Sequence, residues 1–160
     1  MTKIKFLMLI LVFLSLNTGI INSQNIVGKS RFNKARISVS DCWAIEDTVY
    51  IQSWLWKQYK SDKLSFDGKM AIAYDERGNK HTGFEYKINA KDNFSNKITM
   101  SPDIALTSPL TIKIIGVPDS VAMFKSLIIP FHIDEEHIGD IRKYYRTLPD
   151  EIQVVDVPIK

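Results

Sequence analysis

The sequence predicts an all-β domain: an antiparallel β-sandwich of about 7–9 strands with one short helical insertion before the last strand. Three observations predict it. From Ala35 onward apolar residues recur at every second position, the period of a half-buried strand. The runs are short and are separated by turn-forming residues at intervals of about 8–12 positions. Only Asp134 to Leu148 shows apolar residues at three- and four-residue spacing, the period of a helix face.

The elements follow in order. Ile37 and Val39 alternate with Arg36, Ser38 and Ser40 in a first strand. Glu46-Asp47 then makes a short turn. Val49, Ile51 and Leu55 alternate with Tyr50, Gln52, Trp54 and Trp56 in a second strand, the hairpin partner of the first. Leu64 and Phe66 mark a third, and Met70, Ile72 and Tyr74 alternate with Ala71 and Ala73 in a fourth. That strand stops at Asp75-Glu76-Arg77-Gly78-Asn79, where Asp, Gly and Asn supply turn chemistry.

Phe84, Tyr86 and Ile88 form a fifth strand, and Ile98 with Met100 a brief sixth. Leu110, Ile112 and Ile114 form a seventh, closed by Gly116-Val117-Pro118. Leu127, Ile129, Phe131 and Ile133 form an eighth; Pro130 has no N–H to donate and places that strand on an edge or at a bulge. Ile138, Ile141 and Tyr145, with acids before them and Lys/Arg after, predict one or two helical turns, and Ile152 to Val157 is the last strand.

The N-terminus has a different character. Lys3 and Lys5 precede a nearly all-apolar run from Phe6 to Leu16 and a short polar exit ending at Ser23. That run is about 11 residues, roughly 16 Å as a helix, too short for a ~30 Å hydrocarbon core. Residues 1–23 are therefore expected to be a secretory signal peptide, 24–34 a flexible arm, and 35–160 the folded domain. No cysteine follows the apolar run, so no lipid anchor is expected, nor stable membrane insertion after cleavage. The expected compartment is the periplasm or the cell exterior.

Composition narrows the function classes. The chain has 160 residues, 21 Lys plus Arg, 18 Asp plus Glu and one Cys. Lys3 and Lys5 leave with the signal and no acid does, so 19 basic residues then face the same 18 acidic ones. A nearly balanced, exported chain with no Lys/Arg run is a poor nucleic-acid binder. A single thiol supplies neither a disulfide within the chain nor a multi-cysteine zinc site.

Some of these residues carry a resemblance. Val49–Ile51–Leu55, then Leu64–Phe66, then Ala73-Tyr74-Asp75-Glu76-Arg77-Gly78-Asn79 resemble small exported bacterial immunoglobulin-like domains of unknown function, which carry an AYDxxGN-type turn. A segment like Pro109-Leu110-Thr111-Ile112-Lys113-Ile114-Ile115-Gly116-Val117-Pro118 and a closing Val157-Pro158-Ile159 extend the likeness over roughly Arg36 to Ile159. The resemblance implies an immunoglobulin-like sandwich and no chemistry. Ser53, where a large apolar residue is expected, and the insertion at Glu135 to Tyr145 depart from it.

Candidate sites are few. Asp75, Glu76 and Asn79 cluster oxygen ligands but lack the calcium-loop pattern, and a self-bonded turn accounts for them better. His132, Asp134, Glu135, Glu136 and His137 are the one metal-like cluster, but the two histidines are five apart and share a face of neither strand nor helix. Cys42 reads as a small buried hydrophobe, with an intermolecular disulfide as the alternative. Asp47-Thr48-Val49 and Asp119-Ser120-Val121 resemble a short O-glycosylation signal. No nucleophile elbow and no phosphate-cradling glycine loop is present.

The most informative feature is aromatic. If Val49, Ile51 and Leu55 face the core, Tyr50, Trp54 and Trp56 face away from it. Such a stripe is covered by the Asn25–Phe32 arm or the Ile138–Tyr145 helix, or is a protein interface, or is a glycan platform. The expectation is a non-catalytic interaction module, not an enzyme, without metal or cofactor. It docks on a protein or on itself through that stripe; the alternative is a carbohydrate-binding module using Tyr50, Trp54 and Trp56. A hydrolase is the remote third.

Overall fold

The computed structural model describes residues 26–101, 105–137 and 144–160, and among them every regular element is a β-strand. In chain order these are β1 (Ile26–Ser30), β2 (Ala35–Ile45), β3 (Thr48–Lys57), β4 (Lys63–Asp67), β5 (Ile72–Asp75), β6 (Lys80–His81), β7 (Phe84–Lys87), β8 (Lys97–Met100), β9 (Thr107–Ile115), β10 (Met123–His137) and β11 (Tyr144–Pro158). The expected signal segment 1–23 lies outside the described residues.

All strands pair antiparallel in one curled sheet of order β6-β5-β10-β11-β1-β2-β3-β9-β7, with β4 pairing both β10 and β8. The curl is fastened across its ends. The Tyr86 N–H donates to the Ser95 carbonyl (2.8 Å) and the Ser95 N–H donates back to Tyr86 (3.0 Å). Ser95 stands two residues before β8, so the pairing path returns through β8 and β4 to β10.

Strand alternation explains the core. Ile37 and Val39 of β2, Val49, Ile51 and Leu55 of β3, Leu110, Ile112 and Ile114 of β9, and Leu127, Ile129, Phe131 and Ile133 of β10 all point inward and are buried. The aromatic centre joins walls distant in the pairing order. Phe66 of β4 packs on Phe131 (ring centroids 5.5 Å apart) and on Tyr86 of β7 (5.9 Å). Such offset aromatic pairs add stabilisation beyond the area they bury.

Two polar residues occupy inward positions of β3. Ser53 is buried, and its hydroxyl donates to the Leu110 carbonyl of β9 (2.8 Å). Lys57, at 0% exposure, turns its amine into the end of the curl. It donates to the carbonyls of Lys60 (2.9 Å), Asp62 (3.0 Å) and Ser101 (3.1 Å). Three acceptors match the three N–H groups of an ammonium, so a lysine can be buried here.

Four expectations are corrected. The helical insertion is absent from the described residues: β10 runs to His137 and β11 starts at Tyr144, with Glu135 opposite Arg146 and Glu136 opposite Tyr145. The acid-then-base order that suggested a helix dipole instead falls on two antiparallel strands in register. Residues 138–143, which carry Ile138 and Ile141, lie outside the described residues.

The arm is the second correction, because Ile26–Ser30 is a strand held between β11 and β2. Its inward positions are Gly28 and Ser30, so hydrophobic periodicity could not reveal it. Gly28 allows a close approach: a Cβ there would meet Val154 Cγ2 at 2.5 Å and the Gln153 carbonyl oxygen at 2.7 Å.

Pro130 is the third. β10 is interior, with β11 along one edge; on the other edge β5 pairs as far as Ile128 and β4 begins at Phe131. The missing donor falls in the gap between two partners, which meets the proline rule without an edge strand. At β5, finally, Ala73 and Asp75 of the strand and Ala71 just before it are buried, while Met70 is exposed. These inward residues are small, and the strand pairs with β10, whose Phe124 stands opposite Asp75 and is buried.

Candidate functional site

The outward face of β3 carries Tyr50, Gln52, Trp54 and Trp56, as the alternation requires. Neighbouring strands surround it in register. Trp43 of β2 stands opposite Tyr50, Ser38 opposite Trp54 and Arg36 opposite Trp56. On the other side β9 places Lys113 beside Tyr50, Thr111 beside Gln52 and Pro109 beside Trp54.

The three expected binding residues have different surroundings. Tyr50 is half-buried, its ring nearly parallel to Trp43 (5.8 Å, 15°) and edge-on to Phe94 (6.1 Å, 62°). Trp56 is half-buried, with the Arg36 guanidinium 4.8 Å over its ring. Trp54 is 50% exposed. The row therefore does not form a flat platform of three open rings. Neither the arm nor a helix covers it among the described residues, since Ile26–Ser30 lies in the sheet itself.

Around Trp54 the surface is apolar, then basic. Val27 of β1 (40% exposed) lies opposite Ser38, which lies opposite Trp54, and Pro109 flanks the ring on the far side. Arg36, Lys29, Lys87 and Lys113 also project from this face. Two of its acids are paired: Glu85 with Lys113 (2.9 Å) and Asp41 with Lys160 (2.8 Å).

Beside Tyr50 lies a half-open cup of about 370 Å³, walled in part by the loop after β7. Its floor is a polar row set by the register, Gln52–Thr111–Lys87. Trp43, Tyr50 and Phe94 form the apolar wall. The ammonium groups of Lys87 (4.8 Å) and Lys113 (5.5 Å) both lie over the Phe94 ring, a cation–π arrangement that holds the loop down.

The other clusters are structural. The Asp75 carboxylate accepts from the N–H groups of Arg77 (2.9 Å) and Asn79 (2.8 Å), the Asn79 side-chain amide (2.9 Å) and His81 Nε2 (3.1 Å). An ionised carboxylate can only accept, so Nε2 carries the proton. This is the self-bonded turn read from the sequence, extended by His81. Glu76 ties the same turn to β10 by accepting from the Ala122 and Met123 amides (3.3 and 3.2 Å).

Burial alone would raise the Asp75 carboxyl. Bonds from Asn79, His81 and the Arg77 amide outweigh it and hold the group well below its ordinary 3.8. A depressed carboxyl contributes stability that is present above 3.8 and lost as pH falls further. Asp41, Asp67 and Glu76 shift the same way. The difference between the protein and its Asp75→Asn variant cancels the other carboxylates. That difference, measured by denaturant unfolding, should shrink as pH falls below 4. A gap that stays constant down to pH 2.5 would refute this account.

Cys42 is buried, and burial pushes its thiol up to about 12, with Asp41 adding to the effect. It is a core residue unsuited to pairing between chains. A thiol reagent at pH 8 should label the native protein less than about a tenth as fast as the unfolded chain. Equal rates would contradict the burial.

His132 is exposed on β10, and Asp134 pairs with Lys63 (3.6 Å); the side chains of Glu135, Glu136 and His137 lie outside the described set. Among the described residues no three His, Cys, Asp or Glu side chains gather as metal ligands. Thr48 and Ser120 of the glycosylation-like triplets sit in or beside turns, brought near one another by the Val117 N–H donating to the Asp47 carbonyl (2.8 Å).

Sequence reasoning missed Trp43, Phe94, Lys87 and Thr111 as neighbours of the stripe. Trp43 was within reach: a two-residue turn at Glu46-Asp47 sets it opposite Tyr50. Phe94 comes from a loop without periodicity and left no signal. No protein-family model, curated protein or solved structure matches this chain.

Proposed function

We propose that this chain is an exported, non-catalytic interaction module that docks on a protein partner through the outer face of β2, β3 and β9. The observation that carries the reading is Trp54, half exposed at the middle of that face between Val27 and Pro109 and beside the Arg36–Trp56 pair. Trp and Arg at the centre of an apolar patch are the residues that dominate interface energetics. The free cations argue for a partner with an apolar pocket rimmed by carboxylates. They argue against a second copy, because a two-fold interface around Trp54 would set this net-basic face against itself.

The exported location rests on the apolar run after Lys3 and Lys5. The immunoglobulin-like reading of the fold belongs to the same proposal. The single antiparallel all-β domain supports it, and the continuous path through β8, β4 and β10 favours a closed curl instead.

A photoreactive residue at position 54, introduced in the producing cell, tests the docking. It should give one discrete protein adduct that disappears with Arg36→Glu, while the same residue at the exposed Met70 gives none. No adduct from position 54, equal adducts from both positions, or an adduct of this chain with itself would overturn the reading.

A further inference from the structure

The cup beside Tyr50 has its own chemistry, independent of whether Trp54 docks a protein. Its volume of about 370 Å³ is at the small end of ligand sites, enough for a ring or two and too small for a folded segment. One wall is aromatic, from Trp43, Tyr50 and Phe94, and gives apolar surface for the face of a ring.

The opposite requirement, polar groups spaced for a ring's substituents, is met by the floor. Gln52, Thr111 and Lys87 stand side by side on β3, β9 and β7, and neighbouring strands are about 4.8 Å apart. Asn89, from the loop after β7, also lines the cup. Amides and a hydroxyl both donate and accept, which suits hydroxyl groups of the ligand and not a purely apolar guest.

Charge narrows the class further. Among the described residues no carboxylate lines the cup. Of its two nearest cations, Lys113 is satisfied by Glu85 at 2.9 Å, whereas Lys87 has no carboxylate partner among the described residues and leans on the Phe94 ring. A ligand with a negative group at one edge would complete it.

We infer that the Trp43–Tyr50–Phe94 cup is a binding site for an acidic sugar residue. The ring packs on the aromatic wall, hydroxyls bond Gln52, Thr111 and Asn89, and the carboxylate meets Lys87. A charge-assisted bond of this kind is worth about tenfold or more in affinity.

Trp43 makes the site its own reporter. The purified protein is titrated with trigalacturonate, its neutral counterpart trigalactose, and phenylacetate, following tryptophan emission. Trigalacturonate should give a saturable change and trigalactose should bind at least about tenfold more weakly. Lys87→Gln should reduce trigalacturonate to the neutral level with the circular dichroism spectrum unchanged, and Trp54→Phe should retain binding, which separates this site from the docking surface. The inference falls if trigalacturonate gives no saturable response, if trigalactose binds equally, if Lys87→Gln has no effect, or if phenylacetate binds more tightly than trigalacturonate.

Discussion

Replacing Lys57 by methionine should lower the thermal midpoint by about 10 °C or more, the largest effect expected of any single side-chain change here. Methionine keeps the stem's volume and apolar packing, so the change removes the amine alone. The carbonyls of Lys60, Asp62 and Ser101 then lose a shared donor; the bond to Asp62 is fully buried and the other two are part-buried. A buried acceptor left unmade costs about 1–3 kcal/mol, and the two part-buried acceptors add a smaller share, for a total of about 3 kcal/mol. Arginine should not rescue, because its planar fork cannot point three donors at acceptors gathered around one nitrogen. A shift below about 3 °C for Lys57→Met would mean the three bonds contribute little. Calorimetry of the two proteins decides it.

Gly68→Ala should be nearly as damaging, for a steric reason. A Cβ at this position would land on the Phe84 carbonyl oxygen, a backbone atom that cannot rotate away. The Gly68 N–H also donates to the Asn96 carbonyl (2.6 Å), beside the Tyr86–Ser95 bridge that fastens the curl. One methyl group therefore pushes β4 and β7 apart at the point of closure, at a cost of about 2–3 kcal/mol. Hydrogen exchange should show it locally: the Tyr86 and Ser95 amides lose protection while those pairing β2 with β3 keep theirs. Unchanged protection at Tyr86 and Ser95 would remove the bridge from its place as the fastening.

The strands legible in the sequence are those whose inward residues are large and apolar. β2, β3, β7, β9 and β10 fall in this group, and for each the face was read correctly. β1 was hidden because Gly28 and Ser30 occupy its inward positions. At β5 residue size does not mark the inward face: Ala71 and Ala73 are buried, while the larger Met70 is left outside. The segment from Asp134 to Leu148 suggests a helix because Ile138, Ile141 and Tyr145 recur at three- and four-residue spacing and acids precede bases, whereas its described residues pair as β10 and β11.

The candidate site was half legible. Alternation alone set Tyr50, Trp54 and Trp56 on the outer face, yet which ring stays open depends on partners from other strands. Arg36 comes from β2 and Phe94 from a loop distant in sequence; together they shelter two rings and leave Trp54. The cup exists only because β7 brings Lys87 level with Thr111 and Gln52, a register that no local pattern encodes.

The central claim is that this face is open at Trp54 and basic around it. All 3 tryptophans of the chain, Trp43, Trp54 and Trp56, lie on it, so their emission reports on it directly. Quenching by iodide and by caesium in the native protein compares anion with cation access. Iodide should quench one fraction strongly and caesium weakly, and Trp54→Phe should remove that iodide-accessible fraction. Equal quenching by the two ions, or an accessible fraction that survives Trp54→Phe, would contradict the account.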